Sequence, residues 1–246
     1  MKKQLLIVVA FTVALVATGQ AALTWNGADG AAFFTESNWL DNTGAVPADG
    51  TINGGSVITA DTGGLIKIDS TSPGNIGSHL YLGIGNQLLI DNGQTLAAGG
   101  SQGIRVDASF TAPFSTATID NGSLIYVQFL VNIAAELNNG STLRLKGGGN
   151  PVNVATINLL DTDSMILFNA ETYAAFDAEH SSKVTFQGTA LEFGSDPFVA
   201  EAGDNALATP FNGTSGVQIQ GIPEPATLGM FVFSSIGIVL LRRRMR

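Results

Sequence analysis

The sequence feature that most constrains this chain is a recurring Asn-Gly turn between short apolar segments. Three clear copies occupy residues 89–96, 118–125 and 136–143, and a looser copy without the glycine occupies residues 158–165. The glycines of the clear copies, Gly93, Gly122 and Gly140, lie 29 and 18 residues apart. Asn-Gly supplies the positive φ of a tight turn, because glycine has no Cβ and asparagine tolerates the left-handed region. Each copy therefore predicts a strand, a turn and a second strand.

The chain between its two termini is predicted to be all-β. Apolar runs rich in Ile, Val, Leu, Phe and Thr are bounded by clusters of Gly, Asn and Asp, with no long helical periodicity. The predicted strands are 56–60, 65–69, 80–82, 87–90, 103–106, 117–119, 124–131, 142–145, 156–159, 165–168, 183–186 and 190–193. One short helix is predicted within residues 170–179, where Ala and Glu raise the helix propensity.

Two all-β architectures use this pattern. Asn-Gly between alternating strands is the strongest short hairpin signal, which predicts an antiparallel β-sandwich. One turn in every 18–29 residues also suits a β-solenoid, in which each coil of chain stacks on the previous one. We favour the β-solenoid, resembling a parallel β-helix, because each repeat is a strand, a turn and a strand followed by a segment of variable length.

Composition and charge exclude several classes of function. The chain has 246 residues, no Cys and a formal net charge of −9. Without cysteine it has no disulfide scaffold, thiolate zinc site or cysteine nucleophile. Residues 22–221 hold 19 of the 20 acidic side chains but only five of the 11 basic ones, a net charge of −14. Such a surface repels polyanions, so no nucleic-acid partner is expected.

The N-terminus has the form of a secretory signal peptide, residues 1–21. Lys2 and Lys3 form the charged region, and residues 5–17 form an apolar stretch. Gly19-Gln20-Ala21 then supplies small residues for signal peptidase. The apolar stretch would span only about 20 Å as a helix, which is too short for the bilayer core of about 30 Å. Export with cleavage near Ala21 is therefore expected.

The C-terminus, residues 222–246, carries a second signal. The motif is Pro223-Glu224-Pro225, followed by an apolar run at 226–241 that predicts one transmembrane helix. The basic residues that end the chain are Arg242, Arg243, Arg244 and Arg246. These arginines would keep that end in the cytoplasm and place residues 22–221 outside the cell, which agrees with the N-terminal signal.

This order of motif, apolar run and basic end closely resembles the PEP-CTERM sorting signal of exported proteins from Gram-negative-type bacteria. The resemblance implies processing by an exosortase, an intramembrane transpeptidase-like enzyme, near the Pro-Glu-Pro motif. It also implies an inner-membrane intermediate, a final location at the cell surface or in the extracellular matrix, and exopolysaccharide as a partner. The expected function is that of a non-catalytic surface or matrix protein.

A second resemblance covers the start of the β-rich region. It rests on Trp25-Asn26-Gly27, Phe33-Phe34, Asn38-Trp39, Pro47 and Asp49. These residues resemble the Trp-rich opening segment of secreted β-helix and autotransporter-like passenger proteins. The resemblance favours the β-solenoid, in which two tryptophans would cover one end of the hydrophobic core.

Few residues suggest chemistry, and no cofactor is expected. No Gly-x-Ser-x-Gly or Walker-type motif occurs, and the two histidines, His79 and His180, lie about 100 residues apart. We expect His180 to be a solvated loop residue, because a zinc site needs three or four protein ligands. The weak candidates are Asp161 and Asp163, whose i, i+2 spacing suits a calcium site or an acid/base pair.

The spacing of these two aspartates equally fits a turn, and we favour the turn. The chain is therefore expected to have no catalytic residues and no metal site. The alternative function is a glycan-binding or glycan-cleaving β-helix that uses Asp161 and Asp163.

Overall fold

The computed structural model of the chain describes residues 22–28, 30–41, 43–46, 56–58, 64–68, 75–76, 79–82, 85–99, 103–106, 115–146, 150–211 and 215–222. The predicted signal peptide at 1–21, the Pro223-Glu224-Pro225 motif, the apolar run at 226–241 and the terminal arginines lie outside these residues. Within them, no helix is long and apolar enough to cross a membrane.

The described residues form three β-sheets. Sheet 1 contains β1 (Ala22–Trp25), β3 (Trp39–Leu40), β4 (Ser56–Ile58), β7 (Leu80–Leu82), β10 (Ile104–Val106), β13 (Leu130–Val131) and β16 (Val152–Asn153). Sheet 2 contains β2 (Ala31–Ala32), β5 (Leu65–Ile68), β8 (Gln87–Ile90), β11 (Ser115–Ile119), β14 (Ile133–Leu137), β17 (Thr156–Leu159), β19 (Val184–Phe186) and β20 (Thr189–Ala190). Sheet 3 contains β6 (Asn75–Ile76), β9 (Thr95–Ala98), β12 (Leu124–Val127), β15 (Thr142–Leu145), β18 (Met165–Phe168), β21 (Ala206–Phe211) and β22 (Gly216–Gly221).

From β4 to β18 the chain visits sheets 1, 2 and 3 in turn, and each strand pairs in parallel with the strand three positions along. The Asn-Gly turns therefore join strands of different sheets and close no hairpin: β8 lies in sheet 2 and β9 in sheet 3. The predicted all-β class is confirmed. The pairing is predominantly parallel, whereas an antiparallel sandwich would have required neighbouring strands to pair across these turns.

In-register parallel pairing stacks equivalent side chains into columns, since neighbouring strands lie about 4.8 Å apart. Alternate residues of each strand point inward and form the core. One buried column of sheet 2 consists of Ile68, Ile90, Ile119, Leu137, Leu159 and Phe186. The matching column of sheet 3 consists of Leu96, Ile125, Leu143, Ile166 and Ile219. The core is a continuous apolar strip enclosed by the three sheets.

Aromatic residues cover the N-terminal end of this core. The indole of Trp39 is fully buried and donates from Nε1 to the carbonyl of Phe33 over 2.6 Å. Its ring contacts those of Trp25 and Phe33 edge to face, with centroids 4.9 and 5.2 Å away. The two tryptophans thus fill the role predicted from the sequence.

The C-terminal end is covered by non-repeating elements. Helix α1 (Tyr173–Glu179) begins after Thr172, whose side-chain oxygen accepts from the backbone N–H of Ala175. Strands β21 and β22 then form an antiparallel pair, and β22 pairs antiparallel with β18. The short helix predicted within 170–179 is therefore present.

The strand predictions are incomplete. They omit several strands, of which β21 and β22 are the longest, and only Ala190 of the predicted strand at 190–193 lies in a strand. They also merge two strands into one. The predicted strand at 124–131 consists of two strands, β12 and β13, which lie in different sheets on either side of a corner at Gln128 and Phe129. Strand β14 follows directly and was not predicted. Its sequence, Ile-Ala-Ala-Glu-Leu, combines strong helix formers with alternating inward positions, and the alternation decides its structure because parallel neighbours bind both of its edges.

Candidate functional site

Three consecutive strands, one from each sheet, make up one coil of the chain. In each coil that contains an Asn-Gly turn, the turn forms the corner between sheets 2 and 3. Asn92 and Gly93 have φ of 57° and 70°, and Asn121 and Gly122 have φ of 51° and 72°. Two successive positive φ values make a type I′ turn, which is usually found in hairpins. Asn139 and Gly140 repeat these values in the next coil. The local turn chemistry was thus predicted correctly, and the stacking of neighbouring coils sets which strands it joins.

Side chains connect these turns from one coil to the next. Asn121 donates from Nδ2 to the Asp91 carboxylate over 2.7 Å, and Asn139 donates to Asp120 over 2.7 Å. Each aspartate also accepts from the backbone N–H of the residue that follows it. These side-chain hydrogen bonds link three successive turns through Asp91, Asn121, Asp120 and Asn139. The hydrogen bond from Asn121 is the main reason that the pKa of Asp91 lies below its ordinary value.

Asp161, one of the two predicted carboxylates, occupies the same corner in the last complete coil. Its Oδ1 accepts from the backbone N–H groups of Asp163 and Ser164, both over 2.7 Å, and its Oδ2 accepts from the Ser164 hydroxyl over 2.9 Å. Partial burial raises the pKa of Asp161, but these hydrogen bonds, with one from the backbone of Asn139, outweigh it and lower the pKa. This carboxylate is committed to the turn and ionised at neutral pH.

Asp163 differs from Asp161, because its side chain is exposed and only its backbone takes part in the turn. Within the part of the chain that the structure describes, no group of three or more His, Asp and Glu side chains is arranged to hold a metal ion. The two predicted carboxylates therefore adjoin in one turn but have different surroundings.

The prediction that His180 is solvated is wrong. His180 is fully buried at the end of α1, and its ring stacks on Phe168 with centroids 5.6 Å apart. Its Nε2 lies 3.2 and 3.3 Å from the two carboxylate oxygens of Glu171. The missed signal is the spacing of Phe176 and His180, four residues apart, which places both on the same inward face of the helix. The pair lies on the core-facing side of α1, where His180 has no exposed surface and Glu171 is 6% exposed.

The outer surface of sheet 3 carries a cluster that the sequence analysis did not single out. The Arg144 guanidinium carbon lies 4.7 Å from the ring centroid of Tyr126 and 5.3 Å from that of Phe211. The Lys146 Nζ lies 4.8 Å from the same Tyr126 ring and donates to the carbonyl of Ala98. We name Tyr126, Arg144, Lys146 and Phe211 the Tyr126 cluster. Arg144 and Lys146 share this face because they are two residues apart along β15 and its end.

Sheet 1 holds a simpler version of this contact. Arg105 lies 5.2 Å from the ring centroid of Tyr81, directly across the β7–β10 pair. His79 lies beside it, and burial together with the charge of Arg105 lowers the pKa of that imidazole. This pair has one cation and one tyrosine, whereas the Tyr126 cluster has two cations around one ring.

A partial signal for the Tyr126 cluster exists in the sequence. Predicted strands cover Tyr126 and Arg144, and the Arg-Leu-Lys order gives two cations on one strand face. The pairing register of β12 with β15, which sets Tyr126 opposite Arg144, and the approach of Phe211 from β21 are properties of the fold.

Comparison with known proteins gives no relative. The chain matches no protein-family model, no curated protein and no solved structure.

Proposed function

We propose that this protein is an exported, non-catalytic β-solenoid that is sorted through a PEP-CTERM-like C-terminus to the cell surface or extracellular matrix, where it associates with exopolysaccharide or the envelope. The observation that carries the proposal is the predominantly parallel pairing of strands in three sheets, with side-chain hydrogen bonds between successive turns at the Asn-Gly corner. Stacked repeats of this kind present extended outer surfaces and suit a scaffold.

The distribution of charge supports an extracellular scaffold. Residues 22–221 carry a net charge of −14, which favours solubility and repels other acidic surfaces. The signal-like segment at 1–21 and the tail at 222–246 agree in placing this region outside the cytoplasm. Signal peptidase and exosortase are the processing partners in this proposal.

The environment of Asp161 supports a non-catalytic role. A general acid near neutral pH needs a carboxyl whose pKa is raised, and the pKa of Asp161 is lowered. Cleavage of a glycan by Asp161 and Asp163 is therefore the weaker alternative. It is tested by reducing-end release from acidic and neutral polysaccharides, comparing the wild type with the Asp161→Asn, Asp163→Asn double variant. Release that disappears in the double variant would establish the alternative.

The main proposal is tested by mass spectrometry of both ends of the protein recovered from an exosortase-containing bacterium and from the same strain without the enzyme. We expect an N-terminus near Ala21 or Ala22 in both strains. In the first strain we expect a C-terminus near Pro223–Pro225 and recovery from the cell surface or matrix. Retention of Arg246 in the extracellular form, or cytoplasmic recovery, would contradict the proposal.

A further inference from the structure

The Tyr126 cluster concentrates positive charge on an acidic protein. Only five basic residues lie between positions 22 and 221, and Arg144 and Lys146 are two of them. Both cations lie within 4.8 Å of one tyrosine ring. Two of the five cations of this region are thereby placed together on one face of sheet 3.

Arg144 has unused hydrogen-bonding capacity. A guanidinium carries five N–H donors, and the Nε–H of Arg144 donates to the Asn169 side chain over 2.9 Å. Among the residues that the structure describes, the ion pairs involve only His180 with Glu171 and Glu179, so no carboxylate neutralises Arg144. Tyr126 and Phe211 contact the planar guanidinium without using its N–H groups. The Nη donors remain suited to a bidentate acceptor.

The outer face of sheet 3 around Arg144 carries several amide side chains. The strand register aligns Tyr126, Arg144, Leu167 and Gln218 across four strands of sheet 3. At the spacing of neighbouring strands this column extends roughly 14 Å, with Leu167 buried and the other three side chains half-buried. Gln218 belongs to this column, and its Nε2 donates over 3.3 Å to Oε1 of Gln220, whose own Nε2 donates to the carbonyl of Thr162; both glutamines are half-buried. Amide groups both donate and accept, as recognition of sugar hydroxyls requires.

We propose that this face binds a carboxylated polysaccharide, with a uronate-type carboxylate held by the Nη groups of Arg144 and attracted by Lys146. The planar carboxylate matches the guanidinium fork, the tyrosine and phenylalanine rings border it, and the amides lie along the polymer. This inference rests on the proposed association with polysaccharide and names the class of polysaccharide and the residues that recognise it.

Charge separates this ligand from nucleic acid. Nucleic-acid binding depends on neutralising several phosphates, and two cations on a body of net charge −14 supply too few contacts. A uronate polymer is also repelled by the acidic body as a whole, so its recognition rests on the short-range bidentate contact between one planar carboxylate and the Arg144 guanidinium.

The test measures binding of the full chain, purified in mild detergent, to polygalacturonate and to its methyl ester, which is the same polymer without the charge. We expect binding to polygalacturonate that is at least about tenfold tighter than to the ester and that weakens with salt. Arg144→Gln should reduce the affinity for polygalacturonate at least about tenfold. Arg144→Lys should recover only part of the loss, because an ammonium lacks the planar fork.

The matched control is Arg105→Gln, which removes the same charge from a tyrosine contact on sheet 1. It should leave the affinity within about twofold, a difference well below the tenfold step of 1.4 kcal/mol. Equal losses in the two variants, equal binding of polymer and ester, or no binding of polygalacturonate would overturn the inference. If Arg144→Gln fails to fold by circular dichroism, Lys146→Gln is tested with the same two polymers, and an unchanged preference for polygalacturonate overturns the inference.

These outcomes are separable from those of the proposed function. Binding to neutral polysaccharides alone would overturn this inference and leave matrix association standing. Cytoplasmic recovery or retention of the C-terminal arginines would contradict the proposed function whatever the result of the binding assay.

Discussion

Two neighbouring regions of the coil use charged residues in opposite ways. At the corner between sheets 2 and 3, Asp91, Asp120 and Asp161 accept hydrogen bonds from turn backbone or from the asparagine of the adjacent coil. On the outer face of sheet 3, Arg144 uses one N–H within the protein and has no carboxylate partner among the described residues.

This difference separates charges that hold the fold from charges that are available to a ligand. Carboxylates with several short hydrogen bonds are expected to affect stability when removed. A half-buried guanidinium whose main contacts are two aromatic faces is expected to affect stability less, since such contacts contribute about 0.5–1 kcal/mol at the protein surface. This difference is tested by substituting residues in one region at a time and measuring the stability of each variant.

The largest effect is expected at the corner itself, from Gly122→Val. A Cβ at this position would meet no atom within 4 Å, so the cost comes from the backbone φ of 72° alone. A β-branched residue in the left-handed region should lower the free energy of unfolding by about 2 kcal/mol. Gly122→Asn is the control and should cost far less, because asparagines already occupy this region at neighbouring turns. Urea denaturation curves measure the stability of both variants. Equal unfolding midpoints for Gly122→Val and Gly122→Asn would contradict the assignment of the cost to the backbone φ.

A smaller effect is expected from Asp161→Ala, which removes the acceptor of the hydrogen bonds from the Asp163 and Ser164 backbone and from the Ser164 hydroxyl. The loss should be about 1–2 kcal/mol, the usual cost of leaving turn donors without their charged partner. Asp163→Ala is the matched control, since it removes an exposed carboxylate from the same turn, and its unfolding midpoint should not move. Similar effects of the two substitutions would show that Asp161 has no special role.

A second corner, between sheets 1 and 2, offers a substitution that is expected to stabilise the fold. Val154 has a φ of 52° and is 59% exposed, while Asn132 has a φ of 56° at the corresponding point of the previous coil. Replacing the strained valine by asparagine should raise the free energy of unfolding by about 1 kcal/mol. Val199→Asn, at an exposed valine outside the positive-φ set, should change nothing measurable. A Val154→Asn protein that melts at or below the wild-type temperature would contradict the predicted strain.

The corner should also give the protein a sensitivity to acid. The pKa values of Asp91 and Asp161 are lower in the folded chain than in the unfolded one, so around these values the unfolded chain binds more protons. Their contribution is present above the ordinary aspartate pKa of about 3.9 and is lost as the pH falls through the lower folded values. Denaturation series between about pH 6 and pH 2.5 should show a smaller slope for Asp161→Asn than for the wild type. Parallel curves would contradict this assignment.

Much of the coil could be predicted from the sequence because its determinants are local. The strands at Leu80–Leu82, Gln87–Ile90, Thr142–Leu145, Thr156–Leu159 and Met165–Phe168 have the predicted bounds. In the first four, flanking turn residues and period-two burial point to the same structure, and in Met165–Phe168 a short apolar run is bounded by turn residues. The type I′ turns were equally readable from Asn-Gly.

What could not be predicted depends on contacts between distant residues. Residues 124–131 read as one strand because no Gly or Pro marks the corner at Gln128 and Phe129, and the turn there is fixed by parallel pairing with the neighbouring coils. His180 carries no local mark of burial apart from its spacing from Phe176. The Tyr126 cluster joins β12, β15 and β21, whose separations in sequence say nothing about their register.

The most direct test of the division between corner and face is to measure stability and polygalacturonate binding together in Asp161→Ala and Arg144→Gln. The account predicts that Asp161→Ala loses about 1–2 kcal/mol of unfolding free energy and keeps its affinity. It predicts that Arg144→Gln keeps its stability within about 1 kcal/mol and loses affinity at least about tenfold. Stability and affinity falling together in both variants, or affinity lost only in Asp161→Ala, would contradict it.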